Sequence, residues 1–258
     1  MDRHFDQLGA HFARKIYDSP KGAVRLAVLT RDLGEWLRTI QDGRSVLRVL
    51  DAGAGLGHMS EWLALKGHQL TVTDPSLEML EHARARLAQH ALAHPPSFIQ
   101  ASLQTLPASG EVFDLVICHA VLEWLADPAE ALRCLRSLVN DGGAISLAFY
   151  NRDALIYKNL IKGQFRKIER NQLAGEGRRS LTPQQPLDPR YVANWVADAG
   201  LELKGETGIR VFHDYMHEPF KAQASLDEVI ERELLYSTHP AYRHMGRYLH
   251  WWLVPRTN

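Results

Sequence analysis

Residues 46–57, VLRVLDAGAGLG, constrain this chain more than any other segment: an apolar run ends in Asp51, and glycines follow at alternate positions, Gly53, Gly55 and Gly57. Val46, Leu47, Val49 and Leu50 read as a strand buried on both faces, and residues 58–66 have helical composition. The glycines therefore fall in a strand-to-helix turn. Glycine there permits backbone angles that other residues avoid, and with no Cβ in the way a ligand can approach the main chain. A dinucleotide fold would set G-x-G-x-x-G in this turn, but the place of its last glycine falls on His58.

What stands instead is D-x-G-x-G-x-G, followed by Asp74 at the end of the next apolar strand, where a carboxylate can accept hydrogen bonds from a ribose diol. That combination resembles the S-adenosylmethionine-dependent methyltransferases, in which the turn faces the methionine part of the cofactor and the second-strand acid holds the ribose. Downstream, strands predicted at 69–74, 97–101, 113–118 and 143–149 alternate with helices at 76–90 and 128–139, which implies a parallel sheet with crossovers on both faces. Ser76 is the expected N-cap of the helix after Asp74. Residues 141–143, Asp-Gly-Gly, are expected to turn from helix into the fifth strand. A helix at 189–199, a sixth strand at 201–207, an acidic helix at 226–236 and a last antiparallel strand at 248–254 complete the sheet.

The expected fold is therefore α/β and Rossmann-like: a seven-stranded, mostly parallel sheet with helices on both faces, in one domain spanning residues 1–258. Phe5, Leu8, Phe12 and Ile16 recur at helical spacing. A turn at 18–22 separates them from a helix at 23–40, so residues 1–43 form an N-terminal helical lid on the cofactor-binding core at 44–150. Residues 151–190 form a basic helical insertion, and 191–258 finish the sheet. Ligands of such sheets bind beyond the carboxyl ends of the strands. This rule collects Asp51 to Gly57, Asp74, residues 101–104, His119, Tyr150 and Asn151 on one rim.

Thirty basic and thirty acidic residues balance, so no global field draws the protein to nucleic acid or to an anionic membrane. Any such attraction is local. In the insertion, Lys158, Lys162, Arg166, Lys167, Arg170, Arg178 and Arg179 face only Glu169 and Glu176. The interleaved Ile156, Leu160, Ile161, Phe165 and Ile168 suggest a helix with a docked face, and residues 175–189 a loop. The alternative for this basic run is a solvated helix face. Cys118 and Cys134 are the two cysteines, each in an apolar stretch, which suggests a reducing compartment. No run of about 18 apolar residues is present. A cytoplasmic protein without membrane association is expected, and no metal.

After the fourth strand the chain carries His119-Ala-Val-Leu-Glu-Trp124 in place of the Asn/Asp-Pro-Pro-Tyr/Phe of enzymes that methylate amino nitrogens, which favours an oxygen or carbon acceptor. The stretches KIYDSPKGAVR (15–25), CHAVLEWLADP (118–128), FYN (149–151) and TGIRVFHDY (207–215), with the glycine turn, resemble the bacterial tRNA 5-carboxymethoxyuridine methyltransferases nearly end to end. The chain departs from that family at Ala54 and Leu103, both of which can still offer backbone amides. The resemblance implies methyl transfer from S-adenosylmethionine to the carboxylate of 5-carboxymethoxyuridine in tRNA, with Arg25, Asp51, Gly53, Ala54, Gly55, Asp74, Leu103, Gln104 and His119 on the cofactor. It leaves Arg14 and Arg210, with Tyr17, Tyr150 and Asn151, to position the substrate carboxylate.

A carboxylate is ionised at pH 7, so no general base is expected, and arginine suits it because its planar fork pairs with both oxygens. Several alternatives stay open on the residues themselves. His119 is a pocket contact or a satisfied core histidine; Arg210, His213 and Asp214 serve the substrate or one another; Trp124 stacks on a base or packs in the core. The rival functions are a small-molecule carboxyl or hydroxyl methyltransferase and a non-catalytic cofactor-binding protein.

Overall fold

A computed structural model describes residues 19–175, 183 and 185–256. The helix predicted over Phe5 to Ile16, with Arg14, the adjoining Tyr17, and Arg178 and Arg179 of the insertion, lie outside the described residues.

Helix α1 (Pro20–Trp36) opens the described chain, and it begins earlier than predicted: Ser19 is its cap and residues 20–22 are already helical. Ser19 is extended and its side chain accepts from the Gly22 N–H, while Pro20 takes the first helical position, where its fixed φ is already suitable and its missing N–H is no loss. Strand β1 (Arg48–Ala52) then leads through the glycine turn into α2 (His58–Leu65), β2 (Gln69–Asp74), α3 (Leu77–Leu87), β3 (Ser97–Gln100), β4 (Phe113–His119), α4 (Pro128–Leu138) and β5 (Val139–Tyr150). After two short helices, α5 (Arg152–Leu160) and α6 (Phe165–Glu169), come α7 (Pro189–Asp198), β6 (Leu201–Ile209), α8 (Leu226–Tyr236) and β7 (Tyr248–Pro255). Among the described residues no helix is long and apolar enough to cross a membrane.

The sheet has seven strands in the order β3-β2-β1-β4-β5-β7-β6. Strands β1 to β5 pair in parallel, and β7 runs antiparallel between β5 and β6. Successive β1 side chains serve opposite faces, as the pleat requires. Leu50 and Ala52 pack with Leu132, Leu135 and Leu138 of α4 and with Val192 and Val196 of α7. Val49 packs with Val28, Leu29 and Leu33 of α1, Leu63 of α2, and Leu80 and Leu87 of α3. Helices therefore cover both faces, and each fully buried leucine contributes roughly 1.5–3 kcal/mol.

Three local expectations change. Val46 is exposed and precedes β1, because the run becomes two-sided only once it is paired. Residues 141–143 belong to β5, where the register with β4 shifts between Phe113 and Leu115. There a Cβ on Gly143 would stand 2.6 Å from the Asp114 carbonyl oxygen, so the glycine serves a close strand approach and not a loop. In the insertion the basic helix is two short ones; Leu160, Ile161 and Phe165 are exposed, and α5 docks instead through Ala154 and Leu155.

Candidate active site

All three turn glycines have left-handed φ, from 54° to 76°, but their surroundings differ. A Cβ on Gly53 would meet Val121 Cγ2 at 2.5 Å and one on Gly57 would meet Ala83 Cα at 2.9 Å, whereas one on Gly55 would meet nothing within 4 Å. Gly53 and Gly57 thus permit close packing, and Gly55 leaves open space in front of the turn.

That space is a cavity along the carboxyl ends of β1, β2 and β4. Arg25, Asp51, Gly53, Ala54, Gly55, Asp74, Leu103, Gln104 and His119 all line it. So do His58, Met59, Met79, Ala120 and Val121, which nothing in the pattern had singled out, and Trp124, which is half-buried. Ala120 could not be found from sequence because its distinguishing feature is conformational: φ is 59°, and its N–H donates to the Ala148 carbonyl at 2.6 Å. One expectation fails at Ala54. Its amide, like that of Gly53, donates to the Thr73 carbonyl at 2.9 Å, so the turn consumes it and it is not on offer to a ligand.

The two acids are held differently. Asp74 accepts from the Gly55 N–H through Oδ2 and from the Ser76 N–H through Oδ1, both at 2.9 Å, which ties the turn to the cap of α3. Ser76 caps that helix as expected. Asp51 accepts from Ser60 Oγ at 2.6 Å; burial pushes its carboxyl up to about 6, with the Ser60 bond opposing and Asp74 adding to the rise. At the other end of the cavity Arg25, from α1, lies over the Tyr248 ring with Cζ 4.8 Å from the centroid.

Behind Arg25 sits Glu123, 1% exposed. Burial raises it from 4.5 to about 7, and backbone hydrogen bonds at Glu123 and Tyr150, with the Arg25 cation, work against the rise. An acid whose folded pKa exceeds its unfolded value loses stability as pH climbs from the unfolded to the folded value. Glu123→Gln, which cannot ionise, is therefore expected to gain on wild type between pH 5 and pH 8, by on the order of 3 kcal/mol. A urea-midpoint difference that stays constant over that range would sink this reading.

Beyond Arg25 the rim is cationic. Tyr150 and Tyr248 are register partners on β5 and β7 with rings in edge contact at 5.1 Å. Arg210, at φ 60°, lies over Tyr248 and pairs with Asp214 at 3.5 Å. Asp214 also accepts from Arg247 Nε at 2.8 Å. Burial alone would raise the Asp214 carboxyl; Arg210, then His213 and Arg247, outweigh it and hold it well below the usual range. Arg210, His213 and Asp214 therefore do partner one another, and Arg247, which sequence reasoning missed, is the strongest partner in geometry. Its signal was weak because it lies 33 residues from Asp214.

Asn151 is a correction. It is fully buried, its carboxamide nitrogen donates to the His244 and Gly246 carbonyls, and its oxygen caps α5 at the Asp153 N–H, so nothing is left for a substrate. Tyr150 is buried too, its hydroxyl 3.4 Å from Arg247 Nη1.

A family model described as a methyltransferase domain matches residues 50–147. The tRNA 5-carboxymethoxyuridine methyltransferase of Escherichia coli (strain K12) is 36% identical over 251 residues, covering 97% of this chain and 95% of that protein. A malonyl-[acyl-carrier protein] O-methyltransferase of Salmonella typhimurium is 28% identical over 206 residues, with 74% and 75% covered. In fold, the chain is similar to the crystal structure of magnesium protoporphyrin IX methyltransferase from Synechocystis PCC 6803 with bound SAH, at a TM-score of 0.66 and 17% identity, covering 97% and 96%. The cavity and the near full-length kinship agree: the chain belongs to the tRNA 5-carboxymethoxyuridine methyltransferase family, within the class I S-adenosylmethionine-dependent methyltransferases.

Proposed function

We propose that this protein transfers methyl from S-adenosylmethionine to the carboxylate of 5-carboxymethoxyuridine at the wobble position of tRNA, forming the methyl ester in the cytoplasm. The carrying observation is the 36% identity maintained over 97% of the chain. The cavity suits the cofactor: open space before Gly55, an acid at one end and a buried arginine at the other. In this reading Asp74 accepts from the ribose diol, Arg25 pairs with the α-carboxylate, and Leu103, Gln104 and Met79 bound the adenine side. Gly53, Ala54 and Asp51 shape the turn between them, and His119 contacts the methionine end. The cofactor supplies an electrophilic methyl on a sulfonium.

The residues of this chain then need only hold the acceptor carboxylate in line and exclude water, which is worth roughly 7–11 kcal/mol. Arg210, steadied by Asp214, and Arg14 are the proposed carboxylate ligands, with Tyr17 and Tyr150 beside them. No side chain is asked to remove a proton. With labelled cofactor and bulk tRNA, the label is expected to leave as methanol in mild alkali, and the single-turnover rate to stay level from about pH 6 to pH 8.5. Alkali-stable label, or a rate climbing tenfold per pH unit below pH 7, points instead to a base or hydroxyl acceptor.

Lys158, Lys162, Arg166, Lys167, Arg170, Arg178 and Arg179 are the proposed phosphate contacts. Of these, Lys162, Arg166, Lys167 and Arg170 are exposed. Burial, then Arg247, lowers half-buried Lys158 to about 8. Charge reversal at Arg166, Lys167 and Arg170 is expected to flatten the salt dependence of tRNA binding, by about 0.7–0.9 in log–log slope per lost contact. An unaltered slope makes the patch a solvated face.

A further inference from the structure

A buried polar chain crosses the sheet from the cavity to α1. His119 Nε2 lies 2.8 Å from Ser146 Oγ, Ser146 Oγ lies 2.8 Å from His250 Nε2, and His250 Nδ1 lies 2.7 Å from Asp32 Oδ2. Ser146 and His250 are fully buried and Asp32 is 1% exposed. Asp32 Oδ1 accepts from Arg31 Nε at 2.7 Å, and the Arg31 guanidinium is fixed by the Leu234 carbonyl and Ser237 Oγ. The chain links β4, β5, β7 and α1 through residues as far as 218 positions apart.

The chemistry of the groups gives the chain a direction. A carboxylate only accepts, so His250 carries its proton on Nδ1. With a single proton on His250, its bare Nε2 accepts from the Ser146 hydroxyl, which must then accept from His119 Nε2–H. Burial, with His250 and Arg25 nearby, holds His119 well below its ordinary pKa, so the ring is neutral and its Nδ1 is a bare acceptor. That Nδ1 is buried and has no partner among the described residues, on a side chain lining the cavity at the Arg25 end.

We propose that Asp32, acting through His250 and Ser146, sets the tautomer of His119 so that its Nδ1 lone pair accepts from the α-ammonium of the cofactor. The proposal rests on the cavity being the S-adenosylmethionine site. Asp32, His250 and Ser146 are positioning residues, and His119 is the contact. With Arg25 reserved for the carboxylate, the two halves of the cofactor's zwitterion meet a cation and a lone pair. A His119 of the opposite tautomer would present an N–H to an ammonium.

Asp32→Asn tests this because Arg31 only donates. The amide oxygen must turn to Arg31, which leaves the NH2 facing His250 Nδ1. His250 is then forced to the Nε2–H form, both serine bonds reverse, and His119 becomes Nδ1–H. Nitrogen-15 NMR of labelled histidines should show His119 as Nε2–H in wild type and Nδ1–H in Asp32→Asn. By calorimetry the variant should bind S-adenosylhomocysteine about 10- to 100-fold more weakly. It should bind 5′-methylthioadenosine, which lacks the amino-acid moiety, as wild type does. Ser146→Ala cuts the chain without touching Arg31 and should give mixed His119 tautomers with the same ligand selectivity in its loss. An Nδ1–H His119 in wild type, an unchanged tautomer in Asp32→Asn, equal weakening of both ligands, or unchanged affinity each overturns the proposal. Wild-type protein that binds neither ligand overturns the cofactor reading itself, a result distinct from all four.

Discussion

Asp74→Ala is expected to raise the dissociation constant for S-adenosylhomocysteine by more than about 100-fold. In the native protein both carboxylate oxygens serve the backbone, one on Gly55 and one on Ser76, and in the proposed reading they also accept from the ribose hydroxyls. Two hydrogen bonds to a charged group, at about 1.5–3 kcal/mol each, sum to several kcal/mol of lost affinity. The Gly55 turn and the Ser76 cap also lose their shared anchor, so a smaller drop in thermal stability should accompany the affinity loss. Asparagine is no gentle substitute: its single oxygen can serve only one of the two amides, and its NH2 then faces the other. Calorimetry giving wild-type affinity for Asp74→Ala removes the residue from the ligand site.

Glu233→Ala should be the costliest of these changes for the fold, at roughly 3–6 kcal/mol from three buried N–H groups left without an acceptor. Glu233, fully buried on α8, accepts from Val211 N–H through Oε2 at 2.8 Å and from Phe212 and His213 N–H through Oε1 at 3.2 and 2.8 Å. Those amides belong to the loop that begins at Arg210 and carries Asp214, so the helix fixes the proposed substrate arginine through its main chain. Total stabilities of about 5–15 kcal/mol leave little margin for such a loss. Glu233→Gln keeps one acceptor oxygen and should cost visibly less. A urea-unfolding difference under about 1 kcal/mol for Glu233→Ala would mean that the loop finds other partners.

The cofactor half was readable from sequence because its determinants are local: a strand apolar on both faces, glycines that the turn needs for their φ, and an acid at the end of the next strand. Asp51, Gly53, Gly55 and Asp74 line one cavity for that reason, and Arg25, which only the family resemblance placed there, lines it too. The substrate half was less readable because its partners are remote. Asn151 looks in sequence like any rim carboxamide, and only the His244 and Gly246 carbonyls, more than 90 residues on, reveal it as structural. Asp32 and His250 likewise gain meaning only when α1 and β7 meet. Residues 156–165 show the converse error: helical spacing predicted a docked face through Ile156, Leu160, Ile161 and Phe165, but the helix ends before Gly163 (φ 65°), the last three stay exposed, and Ala154 and Leu155 make the contact. Ala54 shows a third kind, in which the residue was placed correctly but its amide was already spent on Thr73.

The position of β7 bears on how the chain reaches this state. Strands β1 to β4 join through short crossovers, but β7 must slot between β5 and β6 and pair with β5 residues that lie about a hundred positions earlier. Such distant pairing is kinetically late. Until it happens, β5 and β6 present two facing rows of unpaired N–H and C=O groups, one edge lined by Ile145, Leu147 and Phe149. An open slot of that width accepts one strand of the right pattern from any source. The nascent protein is thus most exposed to strand exchange with another copy of itself after its cofactor half has formed and before Tyr248 and His250 arrive.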